Sequence, residues 1–216
     1  MAVVVSAGLV LAASPSVGDA EARVAETLAA HHAVDAGPPP PTRVGQAVIA
    51  VEDARFYAHH GIDVFRVARA LWGNLTKSGD QGGSTISQQL AKQLYANRPG
   101  VAAKVKQLGL AVKLEQRYSK AEILEMYLNA VYYGHSHWGI DSASRGYIGK
   151  APGDLDWAEA SLLAGLPQAP SALDPVSHFD AARRRQQTVL RRLVQTGRLS
   201  ESASRSAYRE LTALPR

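Results

Sequence analysis

Apolar residues in this chain recur at three- and four-residue steps, a spacing that admits little besides helix. Val64, Val67, Ala68, Leu71 and Leu75 follow it, as do Val101, Val105, Leu108 and Val112, and each set falls on one face of a 3.6-residue turn. Alternating apolar and polar residues, the mark of a half-buried strand, are scarce. Helix starts are also legible. Thr85 with Gln88 and Ser119 with Glu122 have the spacing of a capping box, and Asp156 with Glu159 forms a looser acidic version. Turns are predicted at 78–83, 97–100, 134–139, 149–154 and 165–170, where glycines and prolines gather. The expected fold is mainly α.

Residues 19–34 read as a short helix, which GPPPP at 37–41 must break, because proline lacks an amide donor and clashes with the preceding turn. One domain is expected over 42–195, preceded by an N-terminal segment 1–41 and followed by a tail 196–216 whose short helix begins near Ser200. The apolar run MAVVVSAGLVLAA at 1–13 is shorter than the ~20 residues of a spanning helix. It reads as the end of a truncated membrane anchor, with a packed N-terminal helix as the alternative. The chain contains no cysteine, which excludes a disulfide framework, Cys-ligated zinc and a thiol nucleophile together. A net charge of +5 favours an anionic partner: nucleic acid, lipid head groups or a phosphorylated substrate. No stacking platform or recognised module supports nucleic acid, so that partner is not expected.

Two segments carry chemistry. AVIAVEDARFYAHHGID, residues 47–63, sets Glu52 and Asp53 directly after an apolar run and before aromatic and histidine residues. A carboxylate so placed can transfer protons, although one that ends a buried helix more often caps it or pairs with a cation. QGGSTISQQLAKQLY, residues 81–95, joins two glycines to a helix start, where free backbone donors and the helix dipole favour an anion. By itself such a start is more often a plain turn. The run from Asp180 to Leu193 holds Arg183, Arg184, Arg185, Arg191 and Arg192 and reads mainly as a solvated basic face, a phosphate-facing role being the minor alternative.

In combination these segments resemble the motifs of the family 51 glycosyltransferases, the transglycosylase domains of penicillin-binding proteins. Glu52, Asp53, Phe56, His59 and Gly61 fill every position of the first motif. Gly82, Gly83, Ser84, Thr85, Ile86, Gln88, Gln89, Leu90 and Lys92 match the second, with Ser87 in place of threonine and Gln93 in place of asparagine. Lys120, Ile123, Leu124, Tyr127, Leu128, Asn129 and Gly134 follow the fourth. Gly139, Ala143, Tyr147, Gly149 and Lys150 follow the fifth, and Glu159 to Pro175 resembles the closing segment. The likeness covers about residues 42–195.

The third motif departs from the family. Its arginine falls on Ala103, its lysine on Lys104, and its glutamate, the family's second catalytic carboxylate, on Gln107. A glutamine orients by hydrogen bonds but neither transfers a proton nor ligates a metal as a carboxylate does. Two readings stand: a branch that works with glutamine, which is favoured, or a non-catalytic homologue that binds lipid II or a cell-wall partner. A lysozyme-like hydrolase is a further rival.

The resemblance implies a lysozyme-like helical lobe beside a smaller membrane-facing lobe, on the extracytoplasmic face of a bacterial cytoplasmic membrane. It implies inverting transfer from a polyprenyl pyrophosphate donor, with lipid II and the lipid-linked glycan strand as substrates and the membrane surface and cell-wall synthesis proteins as partners. Glu52 is the expected general base. Ser84, Lys92, Lys104 and Lys120 are the candidates for pyrophosphate, and Gly83, Thr85 and Gln88 belong to the same segment. Asp53, Phe56, His59, Gln89 and Asn129 complete the expected substrate-binding set, with Asp53 organising the loop and His59 and Gln89 holding the shape of the cleft. Mg2+ or Mn2+ is the cofactor left open, and no organic cofactor is expected. The helix at 64–76, with Val64, Phe65, Ala68, Leu71, Trp72 and Leu75 flanked by Arg66, Arg69 and Lys77, suits a membrane interface or an ordinary core equally; the polyprenyl substrate favours the membrane. No serine-x-x-lysine or lysine-threonine-glycine motif occurs, so penicillin is expected to have no target in these residues.

Overall fold

The computed structural model describes residues 14–37, 43–66, 83–95 and 100–214. The apolar run at 1–13, the prolines at 38–41, the turn at 78–83 except Gly83, residues 97–99 of the turn at 97–100 and the body of the helix expected at 64–76 lie outside them. Nine α-helices occur among the described residues: α1 Ala20–Ala30, α2 Arg43–Glu52, α3 Ile86–Tyr95, α4 Val101–Arg117, α5 Lys120–Ala130, α6 Gly139–Ile148, α7 Trp157–Gly165, α8 Phe179–Gln195 and α9 Glu201–Glu210. Among the described residues no strand accompanies them, only an isolated antiparallel bridge between Tyr132 and Trp138. The chain is mainly α, as its periodicity requires.

The starts follow the side-chain chemistry. Ser119 and Glu122 exchange bonds of 3.3 and 2.7 Å. Asp156 and Glu159 close a full reciprocal box at 2.9 Å each way, tighter than the sequence spacing suggested. Thr85 accepts from the Gln88 amide at 3.2 Å, but the Gln88 side chain turns instead to the Gly61 carbonyl at 3.4 Å. Ser200 caps α9 through the Ala203 amide.

The contacts divide the chain into two compact units, one of residues 1–23 and 55–127, the other of residues 24–54 and 128–216. In the first, α3 packs along α4, burying Ile86, Leu90, Ala91 and Leu94 against Leu110, Ala111 and Leu114, with Phe56, Ile123 and Tyr127 completing the core. The second is centred on α7, whose residues Ala158 to Gly165 are all buried, as a helix surrounded by others requires. α2 and α8 both pack on it. The buried stripe of α8 is Ala182, Gln186, Val189, Leu190 and Leu193.

Gly61 shows why the first motif ends in glycine. Its φ is +87°, and a Cβ there would lie 2.8 Å from the Ala111 carbonyl oxygen on α4. Backbone, unlike a flexible side chain, cannot step aside. Gly61→Ala combines left-handed strain of about 1–2 kcal/mol with overpacking of about 1–3 kcal/mol, so thermal unfolding should fall by roughly 10 °C. A melting temperature within a degree of wild type would show that the loop and α4 are not in this contact.

Candidate active site

In the second unit Glu52 is the last residue of α2, at the end of the buried run Val44, Gly45, Ala47, Val48, Ile49 and Ala50. One carboxylate oxygen accepts from the Arg185 guanidinium at 3.1 Å, and the two side chains are only 15% and 16% exposed. Arg185 reaches it from α8 because Gly165 makes room: a Cβ at Gly165 would come 2.8 Å from Arg185 Cγ. Arg185 Nε also donates to the Gly165 carbonyl at 3.4 Å. Asp53 is fully buried. Asn129 is buried as well, donating to Asp35 at 2.6 Å and accepting from the Ala36 amide at 3.2 Å. It thereby ties the segment after α1 to the end of α5.

The first unit holds most of the other candidates. Gly83 and Ser84 are half-buried at the entrance to α3. Lys104 is exposed on α4 and donates to Ser84 Oγ at 3.1 Å. Partial desolvation of its ammonium and the neighbouring Lys92 charge hold the Lys104 pKa below the usual lysine range. Thr85 and Gln88 are buried and turn inward, Thr85 donating to the Gly61 carbonyl at 2.7 Å. Gln89 accepts from the Tyr127 hydroxyl at 3.2 Å. The entrance to α3 therefore presents Gly83, Ser84 and Lys104 outward while the next turn anchors the first-motif loop.

Lys120 occupies a different setting from Lys104. Its ammonium lies 2.7 Å from Glu115 and 2.7 Å from the His59 carbonyl oxygen, and 4.4 Å from the centre of the Phe56 ring. Ser87 donates to the same Glu115 carboxylate at 2.5 Å. This buried cluster joins the first, second and fourth motifs, which makes Lys120 a clamp on the loop and gives Ser87 a hydroxyl role that threonine would also meet. His59 and Phe56 are buried beside it, their rings edge-on at 6.3 Å. Gln107 is buried too, and its Nε2 donates to the Gln88 carbonyl at 2.5 Å.

Sequence reasoning missed Arg185 and Glu115. Arg185 stands in a run of three arginines, and nothing in that run separates it from Arg184, which is exposed, or from Arg183, which lies over the Tyr208 ring at 3.9 Å. Only helical phase marks it, since Arg185 precedes the buried Val189 by one turn. A cavity of about 440 Å³ in the first unit is lined by Pro15, Ser16, Asp19, Arg23, Leu94, Tyr95 and Lys106, none of them a candidate.

The family model described as transglycosylase matches residues 25–194, and the chain belongs to that family. Membership carries the lysozyme-like helical lobe that the motifs implied. The chain is 43% identical over 162 residues to penicillin-binding protein 1F of Bacillus subtilis, covering 74% of this chain and 23% of that protein. It is 40% identical over 178 residues to penicillin-binding protein 1A of Vibrio cholerae, covering 82% and 22%. A Cupriavidus necator protein, provisionally named a transglycosylase, is 42% identical over 161 residues, which cover 74% of this chain and 70% of that one. The chain thus spans about a quarter of the penicillin-binding proteins it matches. A crystal structure of penicillin-binding protein 1A from Haemophilus influenzae aligns with a TM-score of 0.43 at 32% identity, over 45% of this chain and 14% of that one.

Proposed function

We propose that this chain is a peptidoglycan glycosyltransferase that polymerises lipid II, with Glu52 as general base. Glu52 takes the proton of the acceptor sugar's 4-hydroxyl as that oxygen attacks the donor's anomeric carbon. The bond from that carbon to the lipid pyrophosphate breaks, its electron pair leaves with the pyrophosphate, and the carbon is inverted. The observation that carries the reading is the Glu52 carboxylate, placed by α2 and oriented by Arg185. A base held in one geometry acts from the start of the reaction path.

Ser84, Lys104 and Lys92 supply donors and positive charge for the leaving pyrophosphate, whose charge grows in the transition state. Lys120, bound to Glu115 and the His59 carbonyl, holds the first-motif loop in shape, as do Phe56, His59, Thr85 and Gln88. Asp53 and Asn129 act similarly in the second unit. Tyr57, Val64 and Phe65 are 64%, 66% and 62% exposed, with the Arg55 guanidinium over the Phe65 ring at 4.4 Å. Exposed aromatic and aliphatic groups beside arginine suit the headgroup boundary of a bilayer, in keeping with a polyprenyl substrate on the extracytoplasmic membrane face. Among the described residues no helix is long and apolar enough to cross a membrane.

Incubation of the protein with labelled lipid II should yield polymer that lysozyme digests. Lipid II that binds and stays unpolymerised would place the chain among binding proteins, and fragments released from finished peptidoglycan would make it a hydrolase. The pH profile adds a second check. Lys104 stabilises pyrophosphate only while protonated, so with its pKa lowered the rate should fall on the alkaline side before an ordinary lysine, of pKa about 10.4, would lose its proton. Lys104→Arg keeps the charge and should move that limb to higher pH. A limb that stays put would remove Lys104 from the role.

A further inference from the structure

Among the described residues of the first unit, no donor set is evident for the metal that the family resemblance leaves open. Position 107, where the family carries its second carboxylate, turns an amide nitrogen onto the Gln88 carbonyl oxygen at 2.5 Å while 6% exposed. The nitrogen is a donor and has no lone pair to give a cation. Two turns further along α4, Glu115 is already bound to Lys120 and Ser87. Among the described residues no group of three or more His, Asp or Glu side chains converges as a metal site. The charged groups nearest in sequence to this contact are cations: Lys106 precedes Gln107 directly and Lys104 lies one turn before it on α4, and Lys92 lies one turn after Gln88 on α3.

We propose, building on the glycosyltransferase reading, that Gln107 is a positioning residue that clamps α4 to the first turn of α3, and that transfer in this chain runs without a divalent metal at this position. The clamp has a clear object. The turn it grips begins at Thr85 and follows directly on Ser84, which receives the Lys104 ammonium. Two contacts from α4, the Gln107 amide to the first turn of α3 and the Lys104 ammonium to Ser84 just before it, therefore fix the entrance to α3. On this reading the positive charge at the entrance to α3 comes from Lys104 and Lys92.

A carboxylate restored at 107 would harm the protein. Ionised, it cannot donate to the Gln88 carbonyl and repels that oxygen; protonated, its hydroxyl can take over the amide's bond. A glutamic acid there has its folded pKa raised above the unfolded value of about 4.3. Its stabilising contact is present at low pH and lost as pH rises through the raised value.

The test compares wild type, Gln107→Glu and Gln107→Met. Relative to wild type, Gln107→Glu should melt roughly 5 °C lower at pH 8 but nearly normally at pH 5. Gln107→Met, which keeps the length and loses the donor, should show the same deficit at both. Polymerisation by Gln107→Glu should fall about tenfold at pH 7.5, recover part of that at pH 6, and gain nothing from Mg2+ or Mn2+. Wild-type activity should be unchanged by EDTA. A Gln107→Glu variant as stable as wild type at pH 8 overturns the clamp, and activity that needs Mn2+ or rises in Gln107→Glu overturns the metal-free claim. If the wild type makes no polymer at all, the glycosyltransferase reading fails, while the melting comparison still decides the clamp. Saturable Mn2+ binding to the wild type at micromolar concentration, lost in Gln107→Met, would then overturn the metal claim, and its absence would uphold it.

Discussion

Glu52→Gln is expected to lower the rate of lipid II polymerisation about a thousandfold, within the ~10²–10⁴-fold range that a positioned general base contributes. The side chain keeps its shape, and its carbonyl oxygen can still accept from Arg185, so the fold and substrate affinity should hardly change. What is lost is the acceptor for the 4-hydroxyl proton. Such a drop corresponds to about 4 kcal/mol in the activation barrier and should appear in kcat with KM nearly constant, because the proton moves only in the transition state. Quantifying polymer by gel under single-turnover conditions, beside a melting curve, checks both halves. Undiminished polymerisation in a well-folded variant would remove Glu52 from the chemistry and direct attention to Asp53, whose full burial argues against it.

Arg185→Met should reduce the rate about a hundredfold, the scale that a misplacement near 1 Å produces. Methionine preserves the stem that lies over Gly165 and removes the guanidinium that meets Glu52. Removing one partner of a fully buried pair destabilises by about 3–5 kcal/mol. Both groups here keep some solvent contact, so about 2 kcal/mol is expected, with a melting temperature lower by roughly 4–8 °C. Arg185→Lys restores charge without the second bond to the Gly165 carbonyl and should recover part of the activity. If the methionine variant were as active as wild type, the Arg185 contact would have no part in orienting Glu52.

The metal question turns on the same distinction between residue type and setting. Gln107 stands out in the sequence as a missing carboxylate, and the sequence favours a working branch over an inactive homologue without giving the glutamine a role. Its bond to the Gln88 carbonyl gives the glutamine a positive task, and a substitution with a task of its own is not a mark of decay. Lys120 went the other way. It reads as one more cation for pyrophosphate, whereas the fold surrounds it with Glu115, the His59 carbonyl and the Phe56 ring.

The sequence by itself determined the all-helical character, several helix starts and the family, because these depend on local spacing: a 3.6-residue apolar repeat, a hydroxyl or carboxylate three residues from its partner, a glycine where the backbone must turn. The Ser119–Glu122 and Asp156–Glu159 boxes, the helix after Ser200 and the all-helical character are local in this sense. Tertiary structure alone decided which of several chemically equivalent residues meets which partner. Arg185 and Glu52 are 133 residues apart, Lys120 and His59 are 61 apart, and no periodicity encodes such pairs. An arginine run looks uniform until packing of α8 on α7 and α2 sends one guanidinium inward past Gly165 and leaves its neighbour in water, because only the position whose stem fits against a residue without a side chain can reach the carboxylate.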